Sequence, residues 1–110
     1  VDAAALVEVI EHLDMDRLPA VEKIVFGVAR PATVIVSTPN ADYNVLFPKL
    51  KAGAFRHPDH RFEWSRAQFQ AWAQRIAETW GYVAETSGIG KLDDTLGAPT
   101  QMAIFRKAGA

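Results

Sequence analysis

Apolar positions along the chain form runs and stripes whose spacing predicts alternating strands and helices. The first run, Ala3–Val7, is short and continuous, which is typical of a strand buried on both faces. Four apolar residues then recur at steps of three and four, which is the spacing of one apolar face of a helix: Leu18, Val21, Val25 and Val28. Residues 33–36 are all β-branched and predict a second strand. Strand, helix and strand at this spacing predict a parallel crossover unit.

Local signals mark the ends of the first predicted helix. Asp16 is expected to cap its start, and Pro19 is tolerated in the first turn. Pro31 is expected to end the helix, because a proline disfavours helical backbone at the residue before it, Arg30.

The second predicted helix has a clearer start. Ser65 and Gln68 form a capping-box pattern, and Trp64 with Phe69 supplies a hydrophobic staple across it. Gly81 is expected to end the helix. One side of the helix carries an apolar stripe: Phe69, Trp72, Ile76 and Trp80.

The remaining segments complete an α/β pattern. Residues 82–85 and 102–105 predict two last strands, joined by a Gly-containing loop over residues 87–100. Residues 39–64 form a connection of a length that is uncommon inside a compact domain and often functional. The chain opens inside an apolar run without an initiator methionine, so we expect residues 1–110 to be the C-terminal half of a larger domain.

Composition narrows the function classes. The chain has 110 residues, which is enough for one compact domain or part of one. Its composition, with 49% apolar and 23% charged residues, argues against disorder. The absence of cysteine excludes disulfides, thiolate metal sites and cysteine nucleophiles. A net charge of -1 does not by itself indicate a nucleic-acid binder. No apolar run approaches the ~20 residues of a membrane span and no cationic leader is present, so we expect a cytoplasmic protein without a membrane partner.

A first polar cluster, Glu8, Glu11 and His12, comes directly after the first strand. If the chain turns helical there, spacings of three and four place all three side chains on one face. Two carboxylates and an imidazole so arranged suit a divalent cation. The alternative is a solvated first helix turn, whose carboxylates are favoured by the helix dipole.

A second polar cluster lies in the long connection: Arg56, His57, Asp59, His60, Arg61 and Glu63. Ligands of parallel α/β sheets bind beyond the carboxyl ends of the strands, and both clusters leave from that edge. A histidine of the second cluster can therefore join the first cluster, unless His57 and His60 are ordinary loop residues. The local surplus of basic residues suits a phosphate backbone, but it is also common in solvated loops.

Several motifs in order resemble one known family. They are residues 9–13 (VIEHL), Ser-Thr-Pro-Asn at 37–40 with Tyr43 and Asn44, and residues 56–64 (RHPDHRFEW) with Phe69 and Trp72. Together they resemble the RNA 3′-terminal 2′-O-methyltransferases of the Hua-enhancer type, which act on small RNAs, and especially the bacterial RNA-repair branch. The most specific parts are Glu8-x-x-Glu11-His12 and the DHRFEW run of residues 59–64.

The resemblance implies a fold and a set of site residues. The fold is the Rossmann-like, S-adenosylmethionine-dependent methyltransferase sheet, of which this chain supplies the C-terminal half. The implied metal ligands are Glu8, Glu11, His12 and His60, with Mg²⁺ or Mn²⁺ as the metal. Arg56 is implied beside the RNA terminus. The residues that hold S-adenosylmethionine are expected in the N-terminal half, so this piece alone is expected to be inactive.

The implied activity is metal-dependent transfer of a methyl group from S-adenosylmethionine to the 2′-hydroxyl of an RNA 3′ end that carries a free 2′,3′-diol. A polynucleotide kinase-phosphatase repair partner is implied in the bacterial branch. Two alternatives stay open from the residues alone. One is a metal-dependent phosphoesterase that uses the same ligands, and the other is a non-catalytic RNA-binding module.

Overall fold

The computed structural model describes residues 2–7, 9–42, 62–90 and 95–108 of the chain. The strands are β1 (Ala3–Val7), β2 (Thr33–Pro39), β3 (Tyr82–Ile89) and β4 (Thr100–Lys107). The helical elements are a 3₁₀ turn (Ile10–His12), α1 (Leu18–Glu22), a π-helical segment (Lys23–Ala29) that continues α1, and α2 (Arg66–Trp80). The order of elements confirms the predicted α/β class.

The four strands form one mixed sheet in the order β1-β2-β4-β3. β1 and β2 are parallel, as the strand–helix–strand spacing predicts, and the other two pairs are antiparallel. Pro39 pairs with Thr100, which in turn pairs with Ile89. The ends of β1, β2 and β3 and the start of β4 therefore meet at one edge of the sheet, which we call the carboxyl edge.

Both helical layers cover the same face of the sheet. The Phe105 ring on β4 meets the Phe26 ring of the π-helical segment edge-on at 5.0 Å, and the Trp72 ring of α2 at 5.8 Å. β1 consequently alternates between exposed and half-buried residues. The prediction that β1 is buried on both faces is wrong for this chain, because the helices cover only the face that carries Ala4 and Leu6.

The first helix differs from its predicted start. α1 has Arg17 at its N-cap position with no side-chain cap, so the prediction that Asp16 caps it is wrong. Pro19 lies in the first turn, as expected. The residue that ends the π-helical segment, Arg30, has left-handed backbone with φ 45°, and Pro31 follows it, which confirms the predicted stop.

The predicted apolar face of the first helix is confirmed only in part, because Leu18 is buried and Val25 packs against the core but Val28 does not. Val28 is 72% exposed, whereas Phe26 is 1% exposed and Glu22 is buried beside it. The reason is the π-helical segment, in which the Arg30 N–H donates to the Val25 carbonyl five residues back. This winding holds more residues in each turn, so the buried positions recur at steps of four.

The second helix begins and ends where the sequence predicts. The Ser65 hydroxyl accepts a hydrogen bond from the Gln68 N–H at 3.2 Å, and the Gln68 side chain accepts from the Ser65 N–H at 2.9 Å. Gly81 has φ 76° at the C-cap, a conformation that glycine adopts without strain. β3 and β4 are longer than residues 82–85 and 102–105, because their ladder continues through polar residues such as Thr86 and Ser87.

In the part of the chain that the structure describes, no helix combines the length and apolar character that a bilayer crossing needs.

Tyr82 is expected to make the stability of the fold depend on pH. Its hydroxyl donates to the Pro31 carbonyl at 2.7 Å. Burial raises the pKa of Tyr82 above its usual 10.0, although the Arg30 guanidinium lowers it in part. A raised pKa in the folded state means that the stabilisation is complete below pH about 10 and is lost as the pH rises through the folded-state pKa.

We therefore expect the free energy of unfolding to fall more steeply above pH about 10 in the wild-type protein than in Tyr82→Phe. At pH 8 the variant should be less stable by about 1 kcal/mol, the usual net value of one hydrogen bond. Urea unfolding between pH 8 and pH 11 measures both effects. If the free energies of unfolding of the two proteins change with pH in parallel, Tyr82 is not the source of the pH dependence.

Candidate functional site

Glu11 is the buried centre of the candidate site. It lies in the 3₁₀ turn directly after β1, and its side chain is 0% exposed. Its Oε1 atom accepts a hydrogen bond from the Thr38 hydroxyl on β2 at 2.9 Å. The interpretation of this segment as a solvated first helix turn is therefore wrong for Glu11, because the single 3₁₀ turn directs Ile10 and Glu11 inward.

His12 follows Glu11 and faces the open side of the turn. The His12 side chain is 41% exposed, and its Nε2 atom lies 3.9 Å from Glu11 Oε2. This separation is shorter than the sum of two typical cation–ligand distances of about 2.0 to 2.3 Å, so one cation can reach both atoms. An imidazole beside a carboxylate suits Mn²⁺ better than Mg²⁺, which prefers oxygen ligands. The two donors fit a divalent cation.

The other predicted site residues lie outside the described part of the chain. Glu8, His60 and Arg56 are among them, so their roles as metal ligands and RNA contact stay predictions. Within the described residues, no group of three or more His, Cys, Asp or Glu side chains is placed to hold a metal ion. The described residues thus supply two of the four predicted ligands, and of the second polar cluster they include only Glu63, which is buried.

The two described ends of the long connection meet at the carboxyl edge. The Ala41 N–H donates to the Trp64 carbonyl at 2.9 Å, and Asn40 pairs with Trp64 in an isolated parallel bridge. The Gln101 side chain donates to the Pro39 carbonyl at 3.1 Å and to the Trp64 carbonyl at 2.9 Å. We call these five residues the junction.

The junction adjoins the Glu11 contact. Thr38, which holds Glu11, pairs directly with Gln101 across β2 and β4, and both side chains are buried. The long connection therefore leaves the sheet at the end of β2 and returns beside it at Trp64. β2 is the strand next to β1, which leads into Glu11. This arrangement agrees with the expectation that the long connection and the segment after β1 leave from the same edge.

Asn40 ties the junction to the loop before β4. Its side-chain amide donates to the carbonyls of Leu96 and Ala98 at 2.9 and 2.8 Å. Its oxygen accepts from the Asp42 N–H at 3.0 Å. The Asp42 carboxylate in turn accepts from the Arg66 side chain at 3.0 Å, at the start of α2.

The contact of Thr38 with Glu11 is not part of the predicted site, because the run of β-branched residues predicts a strand that ends at Val36. The signal was present in the alternation of Val34, Val36 and Thr38, which places all three on the buried face once the strand runs to Pro39.

Comparisons with known proteins find relatives of one kind. No family model matches the chain. The chain is 42% identical over 109 residues to a small RNA 2′-O-methyltransferase of Xenopus tropicalis, across 96% of this chain and 29% of that protein. The chain spans 27 to 29% of the length of the curated vertebrate relatives of that name.

Solved structures show the same fold. The methyltransferase domain of bacterial CtHen1-C matches 98% of this chain and 53% of its own with 52% identity and a TM-score of 0.83. The small RNA methyltransferase HEN1 matches with 36% identity and a TM-score of 0.90, over 100% of this chain and 14% of its own. A chain of the Pnkp1/Rnl/Hen1 RNA repair complex shares the fold at 24% identity and a TM-score of 0.68. The Rossmann-like methyltransferase sheet that the motifs imply is thereby confirmed.

Proposed function

Because the chain is homologous over nearly its whole length to a part of the small RNA 2′-O-methyltransferases, we propose that its full-length protein methylates the 2′-hydroxyl at the 3′ end of an RNA. The observation that carries the proposal is the buried Glu11 carboxylate, which lies beside His12 at the carboxyl edge. Parallel α/β sheets bind their ligands at that edge. That residues 1–110 form the C-terminal half of a catalytic domain stays a prediction.

We propose Mg²⁺ or Mn²⁺ as a cofactor, held by Glu11 and His12 together with Glu8 and His60. The support is the chemistry of the two described donors and the return of the connection to the same edge at Trp64. A divalent cation, when bound, supplies positive charge that makes a ribose hydroxyl easier to deprotonate. Glu11 and His12 would hold that charge at one place, and Arg56 is proposed to contact the RNA terminus.

The proposed donor is S-adenosylmethionine, which supplies a methyl group on a sulfonium sulfur. A bond forms between the ribose 2′-oxygen and the methyl carbon, while the bond between that carbon and sulfur breaks. The sulfur leaves as a neutral thioether, and the hydroxyl proton is lost to solvent. The residues of this chain are proposed to act by orienting the RNA end and by holding positive charge beside the 2′-oxygen.

Methyl transfer to RNAs with different 3′ ends tests the proposal in the full-length protein. We expect label from a methyl-labelled donor on RNA with a free 2′,3′-diol, and at least about a hundredfold less on 2′-deoxy or 3′-phosphate ends, since these lack the oxygen pair. Chelation of divalent metal should abolish transfer, and added Mn²⁺ should restore it.

Three results contradict the proposal. Equal labelling of 2′-deoxy ends removes the 2′-oxygen as the acceptor. Release of phosphate or chain cleavage without a methyl donor assigns the protein to the phosphoesterases. Metal-independent RNA binding that survives Glu8→Ala with Glu11→Ala, without any transfer, assigns it to the RNA-binding modules.

We also propose a cytoplasmic protein that works with a polynucleotide kinase-phosphatase. The support is the likeness of the motifs to the bacterial repair branch, and a structure named for an RNA repair complex shares the fold. Such a partner makes chemical sense, because a 3′-phosphate must be removed before a terminal diol exists. Co-purification of a kinase-phosphatase with the tagged full-length protein from cell extract tests this partnership. If the tagged protein purifies from the soluble fraction without a kinase-phosphatase, the partnership is contradicted.

A further inference from the structure

Thr38, which is not among the predicted metal ligands, donates a buried hydrogen bond to Glu11, which is one of them. The two side chains are both 0% exposed, and the Thr38 hydroxyl donates to Glu11 Oε1 at 2.9 Å. The contact joins residues 27 positions apart, from the end of β2 to the turn after β1. It therefore links the two parallel strands at the carboxyl edge.

A hydroxyl at this position needs a specific partner. Val34 and Val36 precede Thr38 on the same face of β2, and both are wholly buried among apolar side chains. A third valine would continue that apolar row, whereas a buried hydroxyl costs stability unless it is hydrogen-bonded. The threonine is thus explained by the carboxylate that accepts its hydrogen bond.

The contact also fixes the orientation of the carboxylate. With Oε1 bound to Thr38, the other oxygen of Glu11, Oε2, is the one that lies 3.9 Å from His12 Nε2. The β-branched side chain of threonine has few rotamers, so the donor itself is held in place. Hydrogen-bonded partners of this kind orient metal ligands and tune their affinity.

We propose that Thr38 is a positioning residue that orients the Glu11 carboxylate toward a divalent cation. This assignment rests on the proposed function, in which Glu11 holds that cation. In this proposal Thr38 acts through its hydrogen bond to Glu11 and is not itself a metal ligand.

Mn²⁺ affinity of the full-length protein, followed by the electron paramagnetic resonance signal of unbound Mn²⁺, tests the proposal without any turnover. Thr38→Val keeps the shape of the side chain and removes the donor, so we expect binding about 10- to 100-fold weaker. Thr38→Ser keeps the donor and should bind within about threefold of the wild type. If Thr38→Val does not fold, Thr38→Ala supplies the variant without a donor.

Thr33→Val is the matched control. It makes the same change in the same strand, at the end away from the carboxyl edge, and should leave Mn²⁺ affinity unchanged. If the wild type binds Mn²⁺ and Thr38→Val binds it equally well, the role of Thr38 is overturned and the proposed function stands. If the wild type binds no Mn²⁺, the proposed metal dependence fails as well.

Discussion

Glu11→Gln is expected to lower methyl transfer by the full-length protein at least about a hundredfold without unfolding it. Glutamine has nearly the same volume, and its amide oxygen can still accept the hydrogen bond from Thr38. Only the negative charge that holds a divalent cation is lost. Rate constants for transfer, Mn²⁺ affinity and thermal melting of the variant together measure the effect.

Glu22→Gln is the matched control, because it makes the same change at another buried carboxylate. Glu22 accepts hydrogen bonds from the Trp72 indole and from the Arg75 guanidinium, both at 3.3 Å. This variant should lose about 1 to 2 kcal/mol of stability and keep its Mn²⁺ affinity. Unchanged transfer and Mn²⁺ binding in folded Glu11→Gln contradict the assignment of Glu11 as a ligand.

Asn40→Asp is expected to destabilise the protein by about 3 kcal/mol or more. The substitution replaces the amide that donates to the Leu96 and Ala98 carbonyls with an oxygen that repels them, at a position that is 1% exposed. Because Asn40 belongs to the junction, methyl transfer should fall with it even below the melting temperature. Urea unfolding and transfer assays of the full-length protein measure the two effects.

The amide-to-carboxylate change itself needs a control at an exposed position. Gln70→Glu, on the exposed side of α2, should change stability by no more than about 0.5 kcal/mol. If Asn40→Asp is as stable and as active as Gln70→Glu, the junction does not depend on the two carbonyl contacts.

The second helix could be predicted residue by residue because its signals are local. Ser65, Gln68 and Gly81 act within one turn of the helix end that they mark. The first helix could not, because Glu22 is buried by partners about fifty residues away, Trp72 and Arg75. A stripe of valines in the sequence carries no information about such a partner or about π-helical winding.

The candidate site, too, could be predicted only in part from the sequence. The spacing of Glu8, Glu11 and His12 after a strand predicts three donors on one face; Glu11 and His12 lie close together at the carboxyl edge, and Glu8 lies outside the described residues. The complete burial of Glu11 was not predictable, since it depends on Thr38 from another strand, and the sequence pattern ended that strand too early. Glu8, His60 and Arg56 stay predictions that no described contact tests.

Anomalous diffraction at the manganese edge, from crystals of the full-length protein soaked in Mn²⁺, tests most directly whether four side chains hold one cation. The account predicts a single strong peak at the carboxyl edge, bonded to the Glu11 carboxylate and the His12 imidazole, with Glu8 and His60 completing the protein ligands. A peak that is not bonded to Glu11 or to His60, or the absence of a peak at this edge, contradicts the account.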